Sequence, residues 1–274
     1  MKKLFALTAI VLVAASLFWG CEKKGDPPAL PPAESMMIDF TEFAAVKKSS
    51  FLSVENTNWG VAATVAGVWN SLLAVNLAVP VAAFHMAIQN SPEYLDNKTW
   101  EWTYSVSAVG ATYIARLRGQ IKTEEIQWNM YITRMGAGGF TEFEWFSGTT
   151  ALDGNSGQWI LNHSKQFPEP MLRIDWEKTG DEIGSVKYTY VRDLNNERLE
   201  DLFKGSYIEY GLTSAALNAF YDVHFYEFTK EKYVDVNIEW STTAHNGRVK
   251  AQDYFQDALW HCWDGNGNDI TCPN

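Results

Sequence analysis

From Trp100 onward, apolar and polar positions alternate. Trp100, Trp102, Tyr104 and Val106 are interleaved with Glu101, Thr103, Ser105 and Ser107, and Ile126, Trp128, Met130 and Ile132 with Gln127, Asn129, Tyr131 and Thr133. A period of two sends each set to its own face of a strand. Further runs at 172–176, 186–190, 207–212, 220–228 and 234–240 bring the expectation to about ten to twelve strands. Asn246-Gly247, between the runs 234–243 and 248–255, has the composition of a type I′ hairpin turn, which predicts antiparallel neighbours. A long meander without intervening helices curls, because a flat open sheet leaves unpaired edges. The expected fold class is therefore mainly β with an N-terminal helical segment, an antiparallel meander forming a barrel or half-barrel.

Ahead of the strands the pattern changes. No charged residue occurs from Asn56 to Ser91, and 61–88 is rich in Ala, Val and Leu. By length this segment fits a membrane span of about 20 residues, but Asn70, Ser71, Asn76, Pro80 and His85 interrupt it. Two buried helices at about 58–90, broken near Pro80, are the preferred expectation, since proline suits a helix start and not a helix interior. Ala62, Ala63, Ala66, Gly67, Ala74, Ala78, Ala82, Ala83 and Ala87 would let them lie close to a sheet.

The chain starts with Lys2 and Lys3, continues with an apolar run over 4–19, and reaches Gly20 and Cys21. That order is a secretory signal ending at a cysteine. Leu17-Phe18-Trp19-Gly20-Cys21 resembles the lipobox of a bacterial lipoprotein signal peptide. The resemblance covers the first 21 residues and implies cleavage before Cys21, a diacylglycerol thioether on its sulfur and an acylated new N-terminus. Glu22 stands where such lipoproteins carry Asp when held at the inner membrane, which points to outer-membrane sorting. Residues 22–32 are charged and then proline-rich, a semi-extended tether. The expected organisation is a signal peptide at 1–20, a lipidated Cys21 and tether at 21–35, and one β-rich domain at 36–274.

Cysteine arithmetic follows from the lipid site. With Cys21 acylated, Cys262 and Cys272 remain, and in an exported protein such a pair is expected to form a disulfide. Removal of Lys2 and Lys3 takes the formal net charge from -11 to -13. Nucleic acid is thereby an unsuitable partner, and membrane attachment is left to the N-terminal lipid, for which two or more acyl chains suffice.

No motif for nucleophilic, phosphate-binding or zinc chemistry is present. The histidines are His85, His163, His224, His245 and His261. Asp222, His224 and Tyr226 share one strand face, so an acid/base pairing is geometrically available; a polar strand face is the plainer reading. Asp175 with Glu177, and Glu142 with Glu144, share faces in the same way. In the tail, Asp264, Asn266 and Asn268 occupy positions one, three and five of a Ca²⁺-loop pattern, but Asp269 stands where that loop needs glycine and the chain ends before a position-twelve Glu. A turn closed by the disulfide is the favoured reading there, with Ca²⁺ as the alternative.

Aromatic residues are abundant, and Trp100, Trp102, Trp128 and Trp145 fall in strand-like runs. They are core fillers or the lining of a cavity for an apolar or amphipathic ligand. In outline the β domain is similar to lipocalins and periplasmic lipoprotein carriers, a fold-level analogy alone. The expectation is a lipid-anchored, non-enzymatic envelope protein that binds a hydrophobic or amphipathic molecule. The alternatives are a surface module for glycans or proteins and an envelope hydrolase.

Overall fold

A computed structural model describes residues 24–38, 40–44 and 57–273. One antiparallel sheet takes the strands in chain order: β1 (Glu93–Tyr94), β2 (Thr99–Ala108), β3 (Ala111–Ile121), β4 (Glu125–Arg134), β5 (Phe140–Ala151), β6 (Ser156–Asn162), β7 (Pro170–Thr179), β8 (Glu182–Tyr190), β9 (Tyr207–Leu212), β10 (Ala219–Glu227), β11 (Lys232–Trp240), β12 (Gly247–Lys250), β13 (His261–Trp263) and β14 (Asp269–Ile270). Among the described residues the sheet does not close, and the architecture is a half-barrel. The fourteen strands among the described residues exceed the expected number because β1 and β14 have two residues each and β13 three. Runs that short show no periodicity.

Alternation places the apolar set inside. Trp100, Trp102, Tyr104 and Val106 on β2, and Ile126, Trp128, Met130 and Ile132 on β4, are all buried. Cross-strand pairing then forms a row in which tryptophan and glycine alternate: Trp100, Gly119, Trp128, Gly148, Trp159. Side chains directly opposite one another on neighbouring strands are in contact, and each indole takes the space that a side chain on the adjacent glycine would need. A Cβ on Gly148 would lie 2.4 Å from Cε3 of Trp159 and 2.3 Å from the carbonyl oxygen of Gln158. The same arrangement recurs where Trp240, Gly247 and Trp263 pair across β11, β12 and β13.

That recurrence corrects the expected Asn246-Gly247 turn. Gly247 lies inside β12 opposite Trp240, and the connection is the six-residue stretch 241–246. A Cβ there would stand 2.3 Å from Cζ2 of Trp263. Packing under an indole, and not turn conformation, is what requires glycine at 247.

The apolar segment is also corrected. It forms one helix, Asn58–Ile88, with Pro80 inside it, where two helices were expected. Thr57 caps it, its hydroxyl accepting from the Gly60 N–H at 3.0 Å. Residues that looked like interruptions bond to the helix itself: Ser71 Oγ donates to the Gly67 carbonyl at 2.8 Å and Asn76 Nδ2 to the Leu72 carbonyl at 2.7 Å. Pro80 removes one N–H from this ladder, and its ring is buried against the fold.

The helix packs on β2 and β3 near one end of the sheet and on β12 and β13 near the other. It fills the half-barrel with Trp69, Leu73, Leu77 and Phe84, all buried, and Tyr104 Oη donates to the Ala83 carbonyl at 2.5 Å. It is long and apolar enough to cross a membrane by length and composition. Burial is nonetheless one-sided, with Val68 at 55% and Val75 at 81% exposure.

The proline-rich segment lies against the domain sooner than a free tether would. Pro28 and Pro31 are buried and Lys24 to Pro27 exposed. A 3-10 turn at Ala33–Met36 brings Ser35 Oγ to 3.2 Å from Trp159 Nε1, from which it accepts. Beyond it, Phe43 enters an aromatic cluster, 5.2 Å from the Trp240 ring and 5.7 Å from that of Tyr221. Glu42 holds this segment to the 241–246 connection through His245 Nδ1, at 2.9 Å.

Candidate functional site

The exposed side of the helix meets the N-terminal segment in an apolar groove. Leu73, Ala74, Leu77, Ala78, Val81 and Ala82 form one wall, Met37, Ile38 and Phe40 the other. Alanine at 74, 78 and 82 recurs every four residues, so one helix face is lined by short side chains. The hollow has a volume of about 330 Å³, at the small end of the range of about 300–1,000 Å³ typical of ligand pockets.

Two polar groups belong to the groove. Tyr188, on the inner face of β8, reaches it from below and is fully buried. Burial pushes its phenol well above the ordinary tyrosine range, opposed in part by the Ile38 backbone N–H. The ring therefore stays neutral. Asn70 is exposed at the rim, and its amide has no side-chain partner among the described residues. Apolar walls with a hydroxyl below and an amide at the edge suit a molecule with a hydrocarbon part and a polar end.

No family model, curated protein or solved structure matches the chain.

None of the candidate ligand, metal, acid/base or disulfide residues singled out from sequence lines this groove, whereas Asn70, Ala74, Ala78 and Ala82, noted there only as features of the apolar segment, do. Trp100, Trp102 and Trp128 are on the inner face at 1%, 3% and 0% exposure, and the Trp102 and Trp128 rings are 5.9 Å apart. Trp128 Nε1 donates to Thr150 Oγ1 at 2.9 Å, so both its ring and its polar atom are engaged in the core. Trp145 stands apart, half-buried beside Phe143 at 5.7 Å and Tyr113 at 6.3 Å. Cys21 lies outside the described residues. Cys262 and Cys272 are joined, with Cα atoms 5.1 Å apart.

The hairpin those cysteines close has an assignable task. Asp269 Oδ1 accepts from the Asn58 N–H at 2.8 Å, and Asn58 Nδ2 donates to the Cys262 carbonyl at 2.9 Å. It thus satisfies a free N–H at the start of the helix. Within the hairpin, Asp264 Oδ1 accepts from the N–H groups of Asn266 and Asn268, both at 2.9 Å. These bonds hold the Asp264 carboxyl below its ordinary range. Asp264, Asn266 and Asn268 thus form a turn closed on its own carboxylate. Among the described residues no group of three or more His, Cys, Asp or Glu side chains is placed to hold a metal ion.

Asp222 and His224 do not pair. Asp222 Oδ1 accepts from Asn237 Nδ2 at 2.9 Å, and burial, with Glu209 nearby, raises its pKa. His224 Nδ1 lies 2.7 Å from Asp235 Oδ1, its ring stacked 4.8 Å from Tyr233. Glu142 pairs with Arg116 and Glu144 accepts from Asn129 Nδ2 at 2.7 Å. Sequence reasoning missed Met37, Phe40 and Tyr188, and assigned Ala74 and Ala78 to close packing on the sheet where they line the groove. The available signal was the four-residue recurrence of alanine in a segment without charge.

Proposed function

We propose that the protein is a lipid-anchored cell-envelope lipoprotein whose groove receives the apolar part of a hydrophobic or amphipathic small molecule. The observation that carries the ligand reading is the hollow of about 330 Å³ between Ala74, Ala78 and Phe40, with Tyr188 below it. The lining offers hydrocarbon, a neutral phenol and an amide, which is the chemistry of holding a molecule and not of cleaving one. The anchor reading is supported by Lys2, Lys3, the apolar run 4–19 and Gly20-Cys21. Glu22 favours the outer membrane.

Native mass spectrometry and an uncharged apolar fluorophore test the ligand reading. Wild-type protein is expected to retain lipid or to bind the fluorophore in stoichiometric amount, and Ala78→Trp, which fills the groove from an exposed helix position, to lose both. Absence of co-purifying lipid together with absence of fluorophore binding sinks the ligand reading. The anchor is tested separately by metabolic labelling with radioactive palmitate. Label should enter the wild type and not Cys21→Ser.

A further inference from the structure

The sheet face turned away from the helix carries a second, polar concavity. Strand pairing sets Gln127, Thr149, Gln158, Asp175, Lys187 and Glu209 in one transverse row from β4 to β9. A parallel row holds Ser156, Glu177 and Ser185. Thr149, Ser156 and Ser185 are the short side chains among longer neighbours, and residues of the turn at Lys122 to Glu125 line the same surface. The result is an open cleft of about 930 Å³. Six strands at about 4.8 Å spacing make it about 24 Å across.

Part of this surface is satisfied internally. The Asp175 carboxylate accepts from Gln158 Nε2 at 2.7 Å and Arg173 Nε at 2.8 Å. Lys187 Nζ donates to Glu209 Oε2 at 3.1 Å and lies 3.7 Å from the centre of the Tyr207 ring. In the middle the situation differs. The Thr149, Ser156 and Ser185 hydroxyls and the Glu177 carboxylate have no side-chain partner among the described residues. A fixed array of unused donors and acceptors lies on a rigid sheet.

We propose that this cleft binds an extended carbohydrate chain, neutral or amino-bearing. Hydroxyls donate and accept, and carboxylates accept, which matches the alternating needs of sugar hydroxyls. With Asp175 and Glu209 in ion pairs, the surplus charge comes from Glu124, Glu125 and Glu177 against Lys122. That sign repels phosphorylated, sulfated or nucleic-acid polymers. The two rows themselves consist of polar residues, which favours a hydroxyl-rich ligand over a lipid tail. Its breadth suits an oligomer over a single sugar.

The test is binding of full-length protein in detergent to neutral and amino-bearing oligosaccharides, chitohexaose and cellohexaose among them, with oligolysine as the competing class. Sugar binding is expected, weakened by about tenfold or more in Ser156→Trp, which fills the cleft, and in the milder Glu177→Gln. Fluorophore binding in the groove should be untouched in both, because the groove lies on the other face. The proposal is overturned if no oligosaccharide binds, or if binding survives both substitutions at wild-type strength. Salt-sensitive binding of oligolysine alone also overturns it and assigns the cleft to a cationic peptide.

Discussion

A Cβ atom on Gly119 would stand 2.5 Å from Cζ3 of Trp128, its direct partner on the next strand. Contacts between real Cβ atoms and their neighbours do not come that close. Gly119→Ala should therefore destabilise the fold by about 1–3 kcal/mol through overpacking, measured by urea denaturation. Trp128→Leu removes the clash but also core contacts. The double variant should be more stable than the sum of the single losses predicts; strict additivity would contradict the pairing.

Thr150 is the acceptor for the Trp128 indole N–H at 2.9 Å and is itself 2% exposed. Thr150→Val keeps the shape and orphans that donor. A loss of about 1–3 kcal/mol is expected, and Thr150→Ser should recover much of it. If valine and serine variants melt alike, the hydrogen bond contributes nothing.

Asp269 accepts from the first N–H of the helix. Asp269→Ala should cost about 1 kcal/mol, the typical loss when a helix N-terminal acceptor is removed. Reduction of the Cys262–Cys272 disulfide should bring added amide exchange at the first turn, 58–61. Hydrogen exchange resolves both effects, and an unchanged first turn would count against the capping role.

Glu169 gives a dependence on pH. It accepts from Arg198 Nη1 at 2.9 Å and from Arg192 Nε at 3.1 Å, and these bonds, led by Arg198, lower its pKa from 4.5. Because the folded value is the lower one, the stabilisation is complete above about pH 4.5 and is lost as pH falls through the folded value. The Arg192 side chain is 4% exposed, so Glu169→Gln leaves a buried cation without its counter-charge. The variant should be less stable than wild type at pH 7, and the gap should close in acid. A gap that does not shrink as pH falls below about 4.5 would refute the linkage.

Much of the fold was legible in the alternation on β2 and β4, because a strand buried on one face must repeat every two residues. Glycine roles were not. Gly247 reads as a turn residue until pairing places it against Trp263, and the row joining Trp100, Gly119, Trp128, Gly148 and Trp159 depends on registers that no single strand encodes. The helix was expected to be buried all round because it lacks charge. Its outward residues are mostly alanine, glycine or small polar ones, and Ser71 and Asn76 spend their polar groups on the helix backbone. The groove was illegible because Phe40 and Ala78 are 38 positions apart in the chain and meet only through the sheet beneath them.

The helix is bound at both ends of the sheet, and its first residue waits for Asp269, 211 positions downstream. In a chain emerging from its N-terminus, the most apolar segment of the domain is thus made early and receives its last contacts late. Contacts of such separation slow folding and lengthen the exposure of apolar surface. If the chain crosses a membrane unfolded, Asn58–Ile88 is the stretch that an export chaperone would have to shield until the C-terminal hairpin arrives.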